Sequence, residues 1–237
     1  MDLPEPPAIA RDGLSPADRR RAVAVLVAAL VVLTLGAWLV ADGEPRPGEV
    51  GLVEWWNGLP AVVGWPLRAV MQLGTVFVGI AALVVTAWWC RRVGMLAPAV
   101  VLVSVAAAFR LDNVLKDVVE RPRPWDVLPD VVARDSVDGY AYPSGHTTMA
   151  VAVVAALHPL LPGPARRLAW ALAALTALAR LHVAAHWPLD LVGGAALGVA
   201  VAAGAWLLVD RLPRCWFASP ETRRGAGSVE RRDERRT

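Results

Sequence analysis

The sequence predicts an all-α fold: a polytopic membrane helix bundle of six transmembrane helices, with an interfacial segment between the first two. Three observations predict it. Of 237 residues, 56% are hydrophobic and 19% charged, whereas a soluble domain carries about 25% charged residues. The apolar residues gather into long runs, and crossing hydrocarbon takes roughly 17–25 of them. Finally, arginines bunch at alternate gaps between the runs, the pattern left by the preference for basic loops on the cytoplasmic side.

Residues 22–41, 69–89 and 189–209 meet the length requirement directly. Residues 93–109 are adequate and continue as helix toward Lys116. Residues 147–161 and 168–181 are shorter, because "HPLLPGP" separates them, and become spans only by extending through polar ends. Between the first two runs, "VEWWNGLPAVVGWPLRAV" is too broken by Gly and Pro to cross, and its tryptophans suit the membrane interface. A polar tail covers 1–21, the membrane domain 22–210, and a basic, disordered tail 211–237. The first apolar run is long enough to stay as an anchor and does not read as a cleaved signal.

Arg19 to Arg21, Arg91 with Arg92, Arg166 with Arg167, and Arg211 with Arg214 all fall on one side if six spans alternate. Both termini are then cytoplasmic in a bacterial plasma membrane. The loop from 110 to 142 falls outside, although it carries Arg110, Lys116, Arg121, Arg123 and Arg134. Cations on that side need a task of their own. Lys116 is the only lysine in a chain whose other basic residues are all arginine, which singles it out. Cys90 and Cys215 fall on the reducing side and form no disulfide framework.

Three polar clusters fall at the outer ends of the spans: "KDVVERPRP" (Lys116 to Pro124), "PSGH" (Pro143 to His146) and "ARLHVAAHWPLD" (Ala179 to Asp190). Lys116, Arg123 and Arg180 supply fixed positive charge, and arginine grips phosphate through parallel N–H donors. Ser144 and Gly145 stand at a helix start, where free amides and the helix dipole attract anions. His146 and His186 offer a proton donor and a nucleophile, and Asp190 can accept a hydrogen bond from the His186 ring. Cations, amides, two histidines and a carboxylate together suit phosphoryl transfer.

These clusters resemble the type 2 phosphatidic acid phosphatase (PAP2) superfamily, whose signature runs K-x6-RP, PSGH and SR-x5-H-x3-D. Lys116 with Arg123 and Pro124 has the first spacing, residues 143–146 match the second, and Arg180, His186 and Asp190 match the third. The resemblance implies a lipid phosphate phosphatase without a metal or other cofactor. It makes His186 the nucleophile of a phosphohistidine, Asp190 its orienting partner and His146 the acid and base. Lys116, Arg123, Ser144, Gly145 and Arg180 would hold the phosphoryl oxygens. Ala179 departs from the family serine, at a cost of about 1 kcal/mol if a hydrogen bond is lost. The expected partner is a membrane lipid phosphate, with polyprenyl diphosphate ahead of phosphatidate or phosphatidylglycerol phosphate. No nucleic acid is expected, and the oligomeric state is open.

Other readings of these residues remain open. His182, His186 and Asp190 are spaced as ligands of a metal on one helix, but Pro188 ends that helix before Asp190, and the nearby cations disfavour a metal. That leaves His182 as a wall residue and His158 as an interfacial one. Arg110 and Asp112 are candidates to pair or to line the site, Arg121 reads as solvated, and Trp125 and Trp187 read as walls of a substrate channel. An anion or lipid-phosphate transporter, or a phosphoryl transferase, would use the same cations, although a transporter needs polar residues deep in its spans.

Overall fold

The computed structural model describes Ile9 and residues 13–93, 96–136 and 138–212; the expected basic tail lies almost wholly outside them. Among these residues every regular element is helical. In chain order they are α1 (Pro16–Leu39), α2 (Glu49–Asn57), α3 (Ala61–Met71), α4 (Val76–Val93), α5 (Leu96–Val119), α6 (Pro124–Val127), α7 (Gly145–Leu157), α8 (Gly163–His182) and α9 (Pro188–Val209). Two 3-10 turns, Gln72–Gly74 and His158–Leu160, follow α3 and α7.

Helix α1 starts before its apolar run because Ser15 caps it, accepting the Asp18 amide at 3.1 Å, and Pro16 takes the first helical position. Its outer face keeps Val23, Val27, Val31, Leu35 and Trp38 exposed. An apolar face that protein does not cover belongs against lipid. The last helix matches its expected range almost residue for residue. Among the described residues three helices can cross a membrane by length and composition: Pro16–Leu39, Leu96–Val127 and Pro188–Val209.

The second expected span is not one straight helix. Residues 69–75 pass from α3 through the 3-10 turn, and the apolar helix proper begins at Val76. The two arms, Val62–Gly74 and Phe77–Trp88, meet at 57° and make a fourth span only if taken together. Gly74 explains the position of the break: its backbone rests directly on His146, where any Cβ would clash. The broken tryptophan-rich segment forms α2 and α3, which pack on α8.

Helix α9 is the hub, packing against α1, α7 and α5. Close approach to α7 depends on two glycines. A Cβ at Gly194 would lie 2.6 Å from the Ser144 carbonyl oxygen, and one at Gly198 would lie 2.7 Å from that of Thr148. The core between these helices is aliphatic, built from Leu33, Val100, Val101, Ala152, Ala156, Leu197, Val201 and Ala205. At the end where α1 begins, Arg19 and the Leu14 amide bond the Asp210 carboxylate at 2.6 and 3.0 Å. At the other end the C-termini of α5 and α8 meet the N-termini of α7 and α9.

Candidate active site

Helix α5 ends at Val119, and Glu120 turns the chain with a positive φ of 50°. The following Arg121-Pro122-Arg123-Pro124 is extended until α6 begins, and alternate residues of an extended chain face the same way. Both arginines therefore point into the bundle, and both are buried. Arg121 is not solvated, contrary to the expectation from sequence. Its Nη1 donates to Asp190 Oδ1 at 2.7 Å and its Nη2 to Glu49 Oε2 at 2.5 Å. Arg123 donates to the carbonyl oxygens of Gly139 and Ala185, both at 2.8 Å, and stacks 5.3 Å from the Trp125 ring.

The third cluster is not one helix. Helix α8 stops at His182, residues 183–187 form a tight turn with Ala184 at φ 57°, and α9 starts at Pro188. Asp190 sits in the first turn of α9 and accepts the Trp187 amide at 2.7 Å, capping that helix. His182, His186 and Asp190 thus come from a helix end, a loop and a helix start. His182 turns away from the other two, its Nδ1 3.0 Å from the Trp56 carbonyl oxygen.

The partner of the His186 ring differs from the expected one. Nδ1 donates to the Ala141 carbonyl at 2.8 Å, whereas Asp190 Oδ2 stands 3.7 Å away. Asp190 already serves Arg121 and the Trp187 amide, which leaves the tautomer of His186 to a backbone carbonyl. The other nitrogen, Nε2, lies 3.4 Å from Arg123 Nη1. Burial, then the positive charges of Arg180, Arg123 and Lys116, hold His186 well below the ordinary histidine range. The ring is neutral, with its free lone pair directed at a guanidinium.

Ser144 is buried at the N-cap position of α7, where its side chain makes no cap bond and its hydroxyl oxygen accepts from Thr147 Oγ1 at 3.0 Å. Gly145 lies against the Asp112–Lys116 pair, where a Cβ would come within 2.8 Å of the Asp112 carboxylate. Asp112 therefore pairs with Lys116, at 2.6 Å, and not with Arg110, which is exposed. His146, next along α7, feels the charges of Arg180, Asp135, Lys116 and Arg123. Arg180 is buried on α8; its Nη1 pairs with Asp135 at 2.5 Å, and its Nε has no hydrogen-bond partner among the described residues. The fold gathers all eight residues singled out in the sequence at one end of the bundle.

Two other expectations change. Trp187 is wholly buried: its indole donates to the Pro122 carbonyl at 2.9 Å beneath the Arg121 guanidinium, so it braces the arginine and does not line a channel. Ala179 packs among Leu67, Met71, Val183 and Ala185, an apolar setting in which a serine hydroxyl would lack these neighbours as partners. Sequence reasoning missed Glu49, Asn57 and Asp135. Asn57 joins the loop to α8, with its side chain bonded to both backbone groups of Val132 and to the His182 carbonyl. No motif marks these three, since each acts across more than 40 residues of sequence.

Residues 97–214 match the family model described as "PAP2 superfamily". This segment is a PAP2 superfamily domain. An undecaprenyl-diphosphatase of Sulfolobus acidocaldarius is 30% identical over 128 residues, 52% of this chain and 58% of the relative. The chain thus spans less than two thirds of that curated relative. Two solved structures share the fold. Aquifex aeolicus LpxE gives a TM-score of 0.61 at 20% identity, covering 66% of this chain and 93% of that one. The transmembrane PAP2-type phosphatidylglycerolphosphate phosphatase of Bacillus subtilis gives 0.63 at 18% identity, covering 80% and 98%. With its uncovered apolar helices and these neighbours, the chain is a membrane protein.

Proposed function

We propose that this PAP2 chain is a metal-independent lipid phosphate or diphosphate phosphatase that works through a phosphohistidine on the extracytoplasmic side. The observation that carries the reading is the His186 ring: Nδ1–H is committed to Ala141, and Nε2 lies beside Arg123 at 3.4 Å. Nε2 attacks phosphorus as the P–O bond to the leaving group breaks, and His146 gives that oxygen a proton. His146 then takes a proton from water, whose oxygen attacks the phosphohistidine, releasing phosphate and restoring neutral His186. Arg123, Arg180, Lys116, the Ser144 hydroxyl and the amides at the start of α7 carry the charge of the phosphoryl oxygens.

The topology belongs to the same proposal. Helices α1, α4, α5, α7, α8 and α9 are the six spans, residues 22–210 the enzymatic domain, and 1–21 and 211–237 its cytoplasmic tails. Arg19, Arg166 and Arg167 at one end and the catalytic cluster at the other support this orientation. A polyprenyl diphosphate is the favoured substrate because the one curated relative above carries that activity in its name.

The deciding experiment is phosphate release by the purified chain in detergent with EDTA, from a long-chain polyprenyl diphosphate. We expect release under chelation and a loss of at least about 10³-fold in His186→Ala, as for removal of a covalent nucleophile. Full turnover by His186→Ala would end the assignment. Binding without release by the wild type would favour a transporter built on the same cations.

A further inference from the structure

Residues 128–136 and 138–140 lie at the catalytic end of the bundle and are strapped down at several points. Asn57 holds Val132, the Arg134 amide and guanidinium bond the Val183 and His182 carbonyls at 3.3 and 3.1 Å, and Arg123 bonds the Asp138 and Gly139 carbonyls. Within this strap Asp135 places its carboxylate on Arg180 Nη1 at 2.5 Å. Its charge also reaches Arg123 and His146. A carboxylate thus sits among two of the cations assigned to the phosphoryl group and the histidine assigned to proton transfer. It is ionised there: burial alone would raise the Asp135 carboxyl, but the Arg180 hydrogen bond and charge outweigh it and hold the group below its ordinary value.

We propose that Asp135 is a specificity-determining residue: its carboxylate occupies the Arg180 anion position in the substrate-free enzyme and sets a charge threshold for substrates. The proposal rests on the phosphatase reading of this site. Bulk bilayer phospholipids are phosphodiesters, with one negative charge on each phosphate, and they surround the site in large excess. Exchanging the tethered Asp135 carboxylate for such a monoanion gains no charge at Arg180, and the tether gives Asp135 a high effective concentration. A phosphomonoester or terminal diphosphate brings a second negative charge to Arg180, Arg123 and Lys116 and displaces it. The Arg180 Nε, buried without a hydrogen-bond partner among the described residues, is a further donor for that incoming oxygen. Asp135 is 21% exposed on its side chain, so its carboxylate has solvent to move into when displaced.

The test uses the full chain in detergent, a long-chain polyprenyl diphosphate as substrate, phosphatidylglycerol as the phosphodiester competitor and inorganic phosphate as a headgroup probe. Wild type is expected to resist phosphatidylglycerol. In Asp135→Asn the KM should fall by about three- to tenfold, because apparent affinity scales with the fraction of sites not already occupied. The effect falls on KM and not on kcat, inorganic phosphate inhibits at lower concentration, and phosphatidylglycerol becomes a competitive inhibitor. Asp135→Glu should restore resistance. A variant that merely loosened the strap would instead raise KM, and a raised or unchanged KM with no phosphodiester inhibition overturns the proposal. If Asp135→Asn does not fold, Asp135→Ala is read by the same criteria. A wild type that releases no phosphate overturns the phosphatase reading and this one with it; turnover with an indifferent Asp135 overturns this one alone.

Discussion

Arg121 and Arg180 are both buried at the end of the bundle that holds the candidate site, and they are neutralised in opposite ways. Arg121 is clamped by two carboxylates that belong to helices, Glu49 of α2 and Asp190 of α9, with Trp187 beneath it. Arg180 meets one carboxylate, from a loop; Nε of both arginines lacks a hydrogen-bond partner among the described residues, so the counter-charges alone separate them. A cation that ties elements together is stable when its charge is fully matched, because a buried unmatched charge is expensive. A cation that must hold a substrate anion has to stay under-matched until that anion arrives. Burial alone does not separate the two roles; the number and mobility of the counter-charges do.

The sharpest way to break this contrast is to remove each cation in turn. Arg180→Ala is expected to lower kcat/KM by about 10²–10³-fold, the usual loss for one donor to developing charge, with little change in thermal midpoint. Arg121→Met should do the reverse, costing about 3–5 kcal/mol of stability by stranding Asp190 and Glu49, visible as a large drop in the melting temperature. Equal losses of activity and stability in both variants would erase the distinction. Glu49→Gln is a milder probe. It leaves Asp190 on Arg121 and an oxygen for the Leu189 amide, so about 1–3 kcal/mol is expected, with phosphate release retained in the folded fraction.

The smallest expected effect concerns pH. On the proposed mechanism His186 reacts as the neutral ring; burial, then nearby cations, disfavour its protonation, so the acid limb of kcat/KM is expected below the ordinary histidine value of 6.5. Lys116→Gln removes one of those charges and should move the limb upward by a few tenths of a unit. The charges that depress His186 most are those of Arg180, Arg123 and Lys116, so Glu49→Gln should leave the limb in place. A limb that shifts in Glu49→Gln, or stays fixed in Lys116→Gln, would relocate the electrostatic control.

Much of this was legible in the chain, and the reasons differ by feature. Spans from 22, 93 and 189 could be read because lipid demands a continuous apolar run, a one-dimensional property. The break near Gly74 could not, because Gln72–Gly74 is bent by its contact with His146, a residue on another helix. Lys116, Arg123, Ser144, Gly145, His146, Arg180, His186 and Asp190 stood out through spacing. Arg121 was misjudged because an arginine beside prolines reads as solvated unless Glu49, 72 residues earlier, is known to face it.

By itself the sequence determined the class of molecule and singled out eight candidate site residues, because residue type and short-range spacing fix helices and charges. The tertiary structure alone decided who partners whom. Asp190 went to Arg121 and the start of α9, His186 to the Ala141 carbonyl, and Asp135 to Arg180. Each of those bonds depends on which helix end lies beside which loop. That is set by packing across the bundle, through contacts such as Gly194 on Ser144, and not by any local signal.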